Sequence, residues 1–482
     1  MQLDPSPVFK NHPFAEEIIT RLQDGGYTAV LIGGVVRDYL REQFEACYKF
    51  DPAQVDVDIA TDAPPEEIKK TLSDRKTLEV GEQFGVIVVV GPEGRNYEIA
   101  QFRTEENYDG RRPGTVERAT SLDEDVRRRD FTVNALAMKD DGTILDYVDG
   151  IRDLKGKVIR AIGDPDCRMQ EDLLRTLRAI RFACYLDARI EQDTYRAVKE
   201  AAPRIQEISR ERIGEEILKI LGTNNAGRGM ELLQDCSLME ELIPEMAENV
   251  GVEQPEEYHP EGDVFAHSIA ALKVADKLNF DPLVKLAVFL HDVGKAQSYL
   301  RHDGEHSAGH EKDGAKMTEK ICRGLRFSND QTELVTWLVE NHMKAGLLPR
   351  MNRAKQVRLI ISNQDKNRPL NDIRTRFPRF TALLQVLIAD SQGSAHLSSG
   401  WLSSLKEFAE LLPHIRELEK REDAREMLNG NDILEMGVPQ GPRIGELLEK
   451  IHRKIYAGEI ISRAEALREA RRLVQEDEPG DG

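Results

Sequence analysis

Over the first 160 residues the apolar positions fall in short clusters, and beyond them they recur at helical spacing. The run at 28–32 ends at Gly33-Gly34, and the β-branched run at 85–90 ends at Gly91-Pro92; both predict strands. Residues 96–103 alternate polar and apolar side chains, which predicts a half-buried strand with Glu98 facing away from Ile99. Helices are expected after Gly33-Gly34 and after Pro64-Pro65. From about residue 166 strand signals vanish. Segments 170–186, 211–221, 265–278, 282–291 and 402–422 carry apolar side chains three and four apart, the spacing of amphipathic helices. The pattern predicts an α+β chain: a small mixed-sheet head followed by a long helical body. Segment 249–262, with two Pro and four Glu, reads as a linker or surface loop, and the acidic tail 475–482 as frayed.

Composition narrows the class. At 482 residues the chain exceeds what one core usually organises, so three or four modules are expected. A charged fraction of 32% and mean hydropathy of −0.50 exclude an integral membrane protein. The segment Met1-Gln2-Leu3-Asp4-Pro5 has neither a basic region nor an apolar stretch, so a cytoplasmic location is expected. Five cysteines (47, 167, 184, 236, 322) without a C-x-x-C pair read as reduced thiols, mostly small core residues. A net charge of −19 argues against indiscriminate coating of nucleic acid and leaves room for a local basic track.

Candidate chemistry begins at Gly33-Gly34, between a strand and a helix. Two glycines there let backbone N–H groups approach a phosphate, and Arg37 lies about one turn on; a tight strand–helix connection needs the same residues. Asp56 and Asp58, two apart on an expected strand at 54–60, share a face. Such a pair suits divalent ions and phosphoryl transfer, although an exposed strand carries the same pattern. Glu98 is a possible third carboxylate. Asp172, Arg175, Arg178 and Arg181 are spaced by three on the expected helix 170–186 and make one polar stripe. It is either a solvated face or a surface for a base edge and a triphosphate.

Taken in order, GGxVRD (33–38), DxD (56–58), RRDFTxNA (128–135) and EDxxRxxRxxRF (171–182) resemble the class II tRNA nucleotidyltransferase and bacterial poly(A) polymerase family, over residues 28–245. The resemblance implies a polymerase-β-like head in which Asp56 and Asp58 bind catalytic Mg²⁺ and Gly33, Gly34, Arg37 and Arg129 bind nucleotide. It implies that Asp172, Arg175, Arg178 and Arg181 hold the incoming nucleotide, an Asp–Arg pair selecting CTP and then ATP. The loop 105–125, containing 109–113, is of ordinary length for a family member that adds A.

Seven of the eleven histidines fall between 259 and 342. Imidazole with carboxylate suits a transition metal or Mg²⁺. His267, His291-Asp292, His310, His342 and Asp390 follow the order of the HD phosphohydrolase pattern. That likeness implies metal at His267, His291, Asp292 and Asp390, with His310 and His342 as further members. The glycines and prolines at 428–445 are similar to the tail of HD-bearing relatives and suggest contact with a tRNA acceptor arm.

The implied layout is a head at 1–160, a helical neck at 161–248, an HD body at 249–400 and a tail at 401–482. The implied activity is template-independent addition of CCA to tRNA 3′ ends from CTP and ATP. An A-adding, CC-adding or poly(A) polymerase is the nearest alternative. A metal-dependent HD phosphohydrolase with an RNA-binding head, or an RNA-binding scaffold, stands further off. No membrane partner is expected.

Overall fold

The structure, a computed structural model, describes residues 1–78, 85–92, 94–109, 112–119, 121–254, 262–302, 306–369, 372–394, 400–419 and 427–476, with backbone alone at 105–109, 112–117, 419 and 476. His259 and the rest of 255–261, half of the 249–262 segment, lie outside that set, as do residues 477–482 of the tail; Gln475 and Glu476, expected to fray, end the helix Arg463–Glu476. The chain forms two compact units, Met1–Pro244 and Glu245–Gly482.

In the first unit seven strands form one mixed sheet. In chain order they are β1 (Ala29–Ile32), β2 (Asp58–Thr61), β3 (Thr77–Leu78), β4 (Val86–Val90) and β5 (Asn96–Gln101), then β8 (Ala137–Met138) and β9 (Ile144–Leu145). The intervening β6 (Arg103–Asp109) and β7 (Arg112–Arg118) pair as a separate hairpin, so the segment read as a loop is largely strand. The sheet order is β3-β4-β5-β2-β1-β8-β9, antiparallel except where β2 runs parallel to β5. All four residues of β1 are buried, as expected of a continuous apolar run. In β5 Tyr97 and Ile99 are buried while Asn96 and Glu98 are exposed, the expected alternation. One face of the sheet covers Val30, Ile32, Ala60, Phe102, Val126 and Ala137.

Three expectations need correction here. The 54–60 strand starts only at Asp58. Pro52–Gln54 is a turn of 3₁₀-helix and Asp56 precedes the strand, because the pairing with β1 ends at the Ile32–Asp58 rung. The 170–186 helix is two helices, α2 (Pro165–Glu171) and α3 (Leu174–Tyr185), with Asp172 extended between them. Strands also continue past 166: β10 (Val158–Ile159) pairs in parallel with β11 (Arg189–Ile190).

The second unit is helical among its described residues. Its relevant elements are α5 (Val264–Lys277), α6 (Pro282–Leu290), α7 (His310–Gly324), α8 (Asn329–Gly346), α9 (Arg353–Ile361), α10 (Pro378–Gly393) and α11 (Gly400–Glu419), after α1 (Gly34–Phe44) and α4 (Arg210–Leu221) of the first unit. Residues 427–474 bury a cluster of their own around Leu428, Ile433, Leu447, Ile451 and Ile455. Cys184, Cys236 and Cys322 are buried and Cys47 and Cys167 exposed; all five are free thiols. Among the described residues no helix is long and apolar enough to cross a membrane.

Candidate functional sites

Strand β1 delivers the chain to Gly33, whose φ of +80° lies in the left-handed region that favours glycine. A Cβ placed there would lie 3.6 Å from Asp58 Oδ2, so the turn rests against the carboxylate. Helix α1 starts at Gly34 and buries Arg37. The Arg37 guanidinium donates from Nε and Nη2 to Asp38 (both 2.8 Å) and from Nη1 to Asn134 Oδ1 (2.6 Å). It also lies 5.2 Å from the Phe182 ring and 5.1 Å from that of Tyr185.

Asp58 opens β2 and is the lateral neighbour of Glu98 on parallel β5. Burial and then the charge of Glu98 push the Asp58 carboxyl up to about 6, against the pull of Arg129; Asp56 adds repulsion. Carboxylates so crowded fit a cation that relieves their mutual charge.

From α3 and its approach, Arg175, Arg178 and Arg181 enter the same cleft. Arg178 donates from Nε to Asp130 Oδ2 (2.8 Å), Arg181 pairs with Glu216 of α4 (2.8 Å), and Arg175 Nη1 reaches Arg168 O (2.9 Å) and Glu171. Asp172 caps α3 by accepting from Leu174 N (3.0 Å), and its other oxygen accepts from Arg212 (2.9 Å). The ion partner of Asp172 is therefore Arg212, and Arg175 pairs with Glu171.

These residues surround one cleft of about 570 Å³, within the range that holds small ligands. Of the residues expected in the head, Gly33, Gly34, Arg37, Asp56, Asp58, Arg129, Asp172, Arg175, Arg178 and Arg181 line it. Glu98 is beside Asp58 and is not part of the lining. Sequence reasoning missed Arg212, Asn134 and Tyr185, which also face the cleft. Arg212 occupies an ordinary polar position of α4, and nothing in its spacing sets it apart.

The second unit gathers the other predicted cluster. His267 comes from α5, His291-Asp292 follows α6, His310 opens α7, His342 lies on α8 and Asp390 on α10. His267 Nε2 is 3.3 Å from His291 Nε2 and 3.1 Å from Asp390 Oδ1, and His291 Nε2 is 3.2 Å from Asp292 Oδ2. On the other carboxylate oxygen, His310 Nε2 is 3.2 Å from Asp292 Oδ1 and 3.3 Å from His342 Nε2. His291, His310 and His342 each place Nδ1 at 2.7–2.8 Å from a backbone carbonyl, of Val288, Ser307 and Val339. With Nδ1–H donated there, Nε2 turns a lone pair inward, as metal-ligating imidazoles do. Two donor sets, His267-His291-Asp292 and Asp292-His310-His342, thus meet at Asp292.

Burial disfavours an imidazolium at His291, but Asp292 and Asp390 outweigh it and push the ring up to about 10. Burial and the charge of His291 push His342 down to about 4. Asp292 and Asp390 thus draw positive charge toward the buried imidazoles, and a metal cation would supply it in place of a proton on His291. Lys295, 2.6 Å from Asp292 Oδ2, was also missed, although its place three residues after Asp292 was a usable signal.

Residues 29–160 match the family described as "Poly A polymerase head domain", 188–249 match "Probable RNA and SrmB- binding site of polymerase A", and 264–366 match "HD domain". The CCA-adding enzyme of Ligilactobacillus salivarius is 32% identical over 464 residues, covering 95% of this chain and 96% of that protein. The CCA-adding enzyme of Limosilactobacillus fermentum is 29% identical, covering 95% of each. Among solved structures, the Bacillus stearothermophilus CCA-adding enzyme in complex with CTP aligns with a TM-score of 0.64 and 26% identity, over 98% of this chain and 99% of that one. The fold is also shared with the Thermotoga maritima CCA-adding enzyme complexed with tRNA (TM-score 0.57, 20% identity, 98% of this chain and 97% of that one).

Proposed function

The chain belongs to the family of CCA-adding enzymes, and from that premise we propose that it extends tRNA 3′ ends with C, C and A, taking CTP and ATP one nucleotide at a time. The observation that carries the reading is the meeting of Asp56 and Asp58 with Arg129, Arg178 and Arg181 around one cleft. The tRNA 3′-hydroxyl oxygen forms a bond to the α-phosphorus, the bond to pyrophosphate breaks, and the hydroxyl proton passes to the neighbouring carboxylates. Asp56 and Asp58 form the acidic wall, with Glu98 beside Asp58 behind the lining, and the first two would hold Mg²⁺, a hard ion suited to carboxylate oxygens. Bound there, the ion would supply charge neutralisation for the phosphates and activate the hydroxyl. Gly33 and Gly34 let the backbone approach the triphosphate, Arg129, Arg178 and Arg181 complement its charge, and Arg37 shapes the wall from which they act. Asp172 and Arg175 line the cleft where the base would sit, Arg212 fixing Asp172, and Arg175 would turn its fork to a base edge only by exchanging its bonds to Arg168 O, Glu171 and Arg128 O. We place module boundaries near 160, 248 and 400.

Labelled CTP and ATP are incubated with tRNAs lacking the last three, two or one nucleotides. All three should be completed to CCA. Asp58→Asn should lower incorporation by at least ~10²-fold, the scale of losing one electrostatic contact to the reacting group. His291→Ala should incorporate at the wild-type rate. A product that stops after C, C would mark a CC-adding enzyme, and ATP incorporation alone an A-adding one.

The shared Asp292 favours a second activity. We propose that His267, His291, Asp292 and Asp390, with His310 and His342, hold divalent metal in the HD region. Such a centre would supply a water nucleophile and phosphate binding for phosphoester hydrolysis. Phosphate release lost in His291→Ala and retained in Asp58→Asn is the expected pattern; release unaffected by His291→Ala would refute it.

A further inference from the structure

A cleft of about 840 Å³ in the second unit differs in character from both sites above. It lies where α8 passes through a short turn into α9. Helix α8 contributes Trp337 and Lys344, seven residues apart and so on one face. The turn contributes Arg350 and Met351, and α9 contributes Lys355 and Arg358, which are neighbours at i and i+3. Among the described residues four cations line the cleft and no carboxylate does.

That bias runs against the chain as a whole, which carries 86 Asp and Glu against 67 Lys and Arg. Between Glu340 and Asp365 there is no acidic residue, while Lys or Arg stands at 344, 350, 353, 355 and 358. Lys344 donates to the neutral Asn341 amide (2.7 Å), and Arg358 approaches Glu449, outside the lining, at 3.5 Å. Arg350 and Lys355 are exposed and make no ion pair among the described residues. Half-buried Trp337 supplies an aromatic wall, with the Arg379 guanidinium 5.8 Å from its ring.

We propose that this cleft is a second RNA-binding site, in which an unstacked base packs on Trp337 while Lys344, Arg350, Lys355 and Arg358 contact the adjoining phosphates. Aromatic faces accept any base and are worth ~1–3 kcal/mol per stacked base, whereas the phosphate contacts are read as salt dependence. An open groove with cations along its rim fits a continuing phosphodiester strand better than a free mononucleotide. In naming RNA as the source of the nucleotide, the proposal rests on the reading of this chain as a tRNA enzyme.

The chain has two tryptophans, at 337 and 401, so Trp401→Phe leaves Trp337 as the sole indole reporter. In that full-length variant, tRNA lacking CCA and a short unstructured oligocytidylate should each quench the emission. Arg350→Glu/Lys355→Glu, two exposed positions, should abolish the quenching and raise the Kd for tRNA by at least ~10-fold. It should also reduce the slope of log Kd against log salt by about 1.5, with kcat at saturating tRNA unchanged. Equal quenching by free CTP or AMP at matched concentration would overturn RNA as the occupant. Unchanged emission with RNA, or a double variant with wild-type Kd and salt slope, would overturn the site. RNA quenching without CMP incorporation would sink the proposed activity and leave the groove standing; incorporation without quenching would do the reverse.

Discussion

Asp130 shows how one side chain couples folding to the nucleotide cleft. Its Oδ1 accepts from Phe131 N (2.8 Å) and Asn134 Nδ2 (3.1 Å), while Oδ2 accepts from Arg178. Burial alone would raise its pKa, but the charge of Arg178 and these hydrogen bonds prevail and hold it at about 2. A carboxyl depressed on folding stabilises the folded state above the unfolded value near 4 and loses that contribution as pH falls toward 2, roughly 2 kcal/mol in all. Asp130→Asn should therefore be less stable than wild type at neutral pH in urea melts, with the gap closing between about pH 4 and 2. The same change frees Arg178 and should raise KM for CTP and ATP by roughly 10-fold, a size set by one charge-assisted hydrogen bond. A constant stability gap across that pH range would remove Arg178 as the cause.

Among the elements, the crossing of α5 and α10 seats His267 and Asp390. A Cβ on Gly393 would come within 2.6 Å of the Ala271 backbone, four residues from His267 and three from Asp390. Gly393→Ala must part the helices, at a cost of ~1–3 kcal/mol. Calorimetric titration should show weaker Mn²⁺ binding and a lower Tm, with CMP incorporation retained. Helices of this kind were legible because their apolar spacing persists over several turns, as in 265–278 against the observed Val264–Lys277. The break at Asp172 was not, since Leu173 and Leu174 keep the apolar pattern and the cap is a single side-chain bond to Leu174 N. Nor was the start of β2, which is set by where its partner strands stop rather than by its own alternation. The residues that meet in the cleft were legible where motif order tied them together, and Arg212 was not because only the folded chain brings it to Asp172.

For the molecule as a whole, a net charge of −19 makes RNA association depend on confined basic tracks. Some four phosphate contacts in the α8–α9 groove alone would weaken tRNA binding by about 10²-fold between 50 and 200 mM salt. Filter binding across that range should show at least this loss, and a flat response would mean that neither basic track meets phosphate. One further feature governs how the first unit can vary. The two rungs joining Val158–Ile159 to Arg189–Ile190 close the excursion that carries α2 and α3 back to its own starting point. The arginine comb is thereby pinned like a brooch at both ends. On the proposed role of these arginines, altering which nucleotide is admitted would be a matter of exchanging individual teeth, since sliding the whole comb would first have to undo the pin.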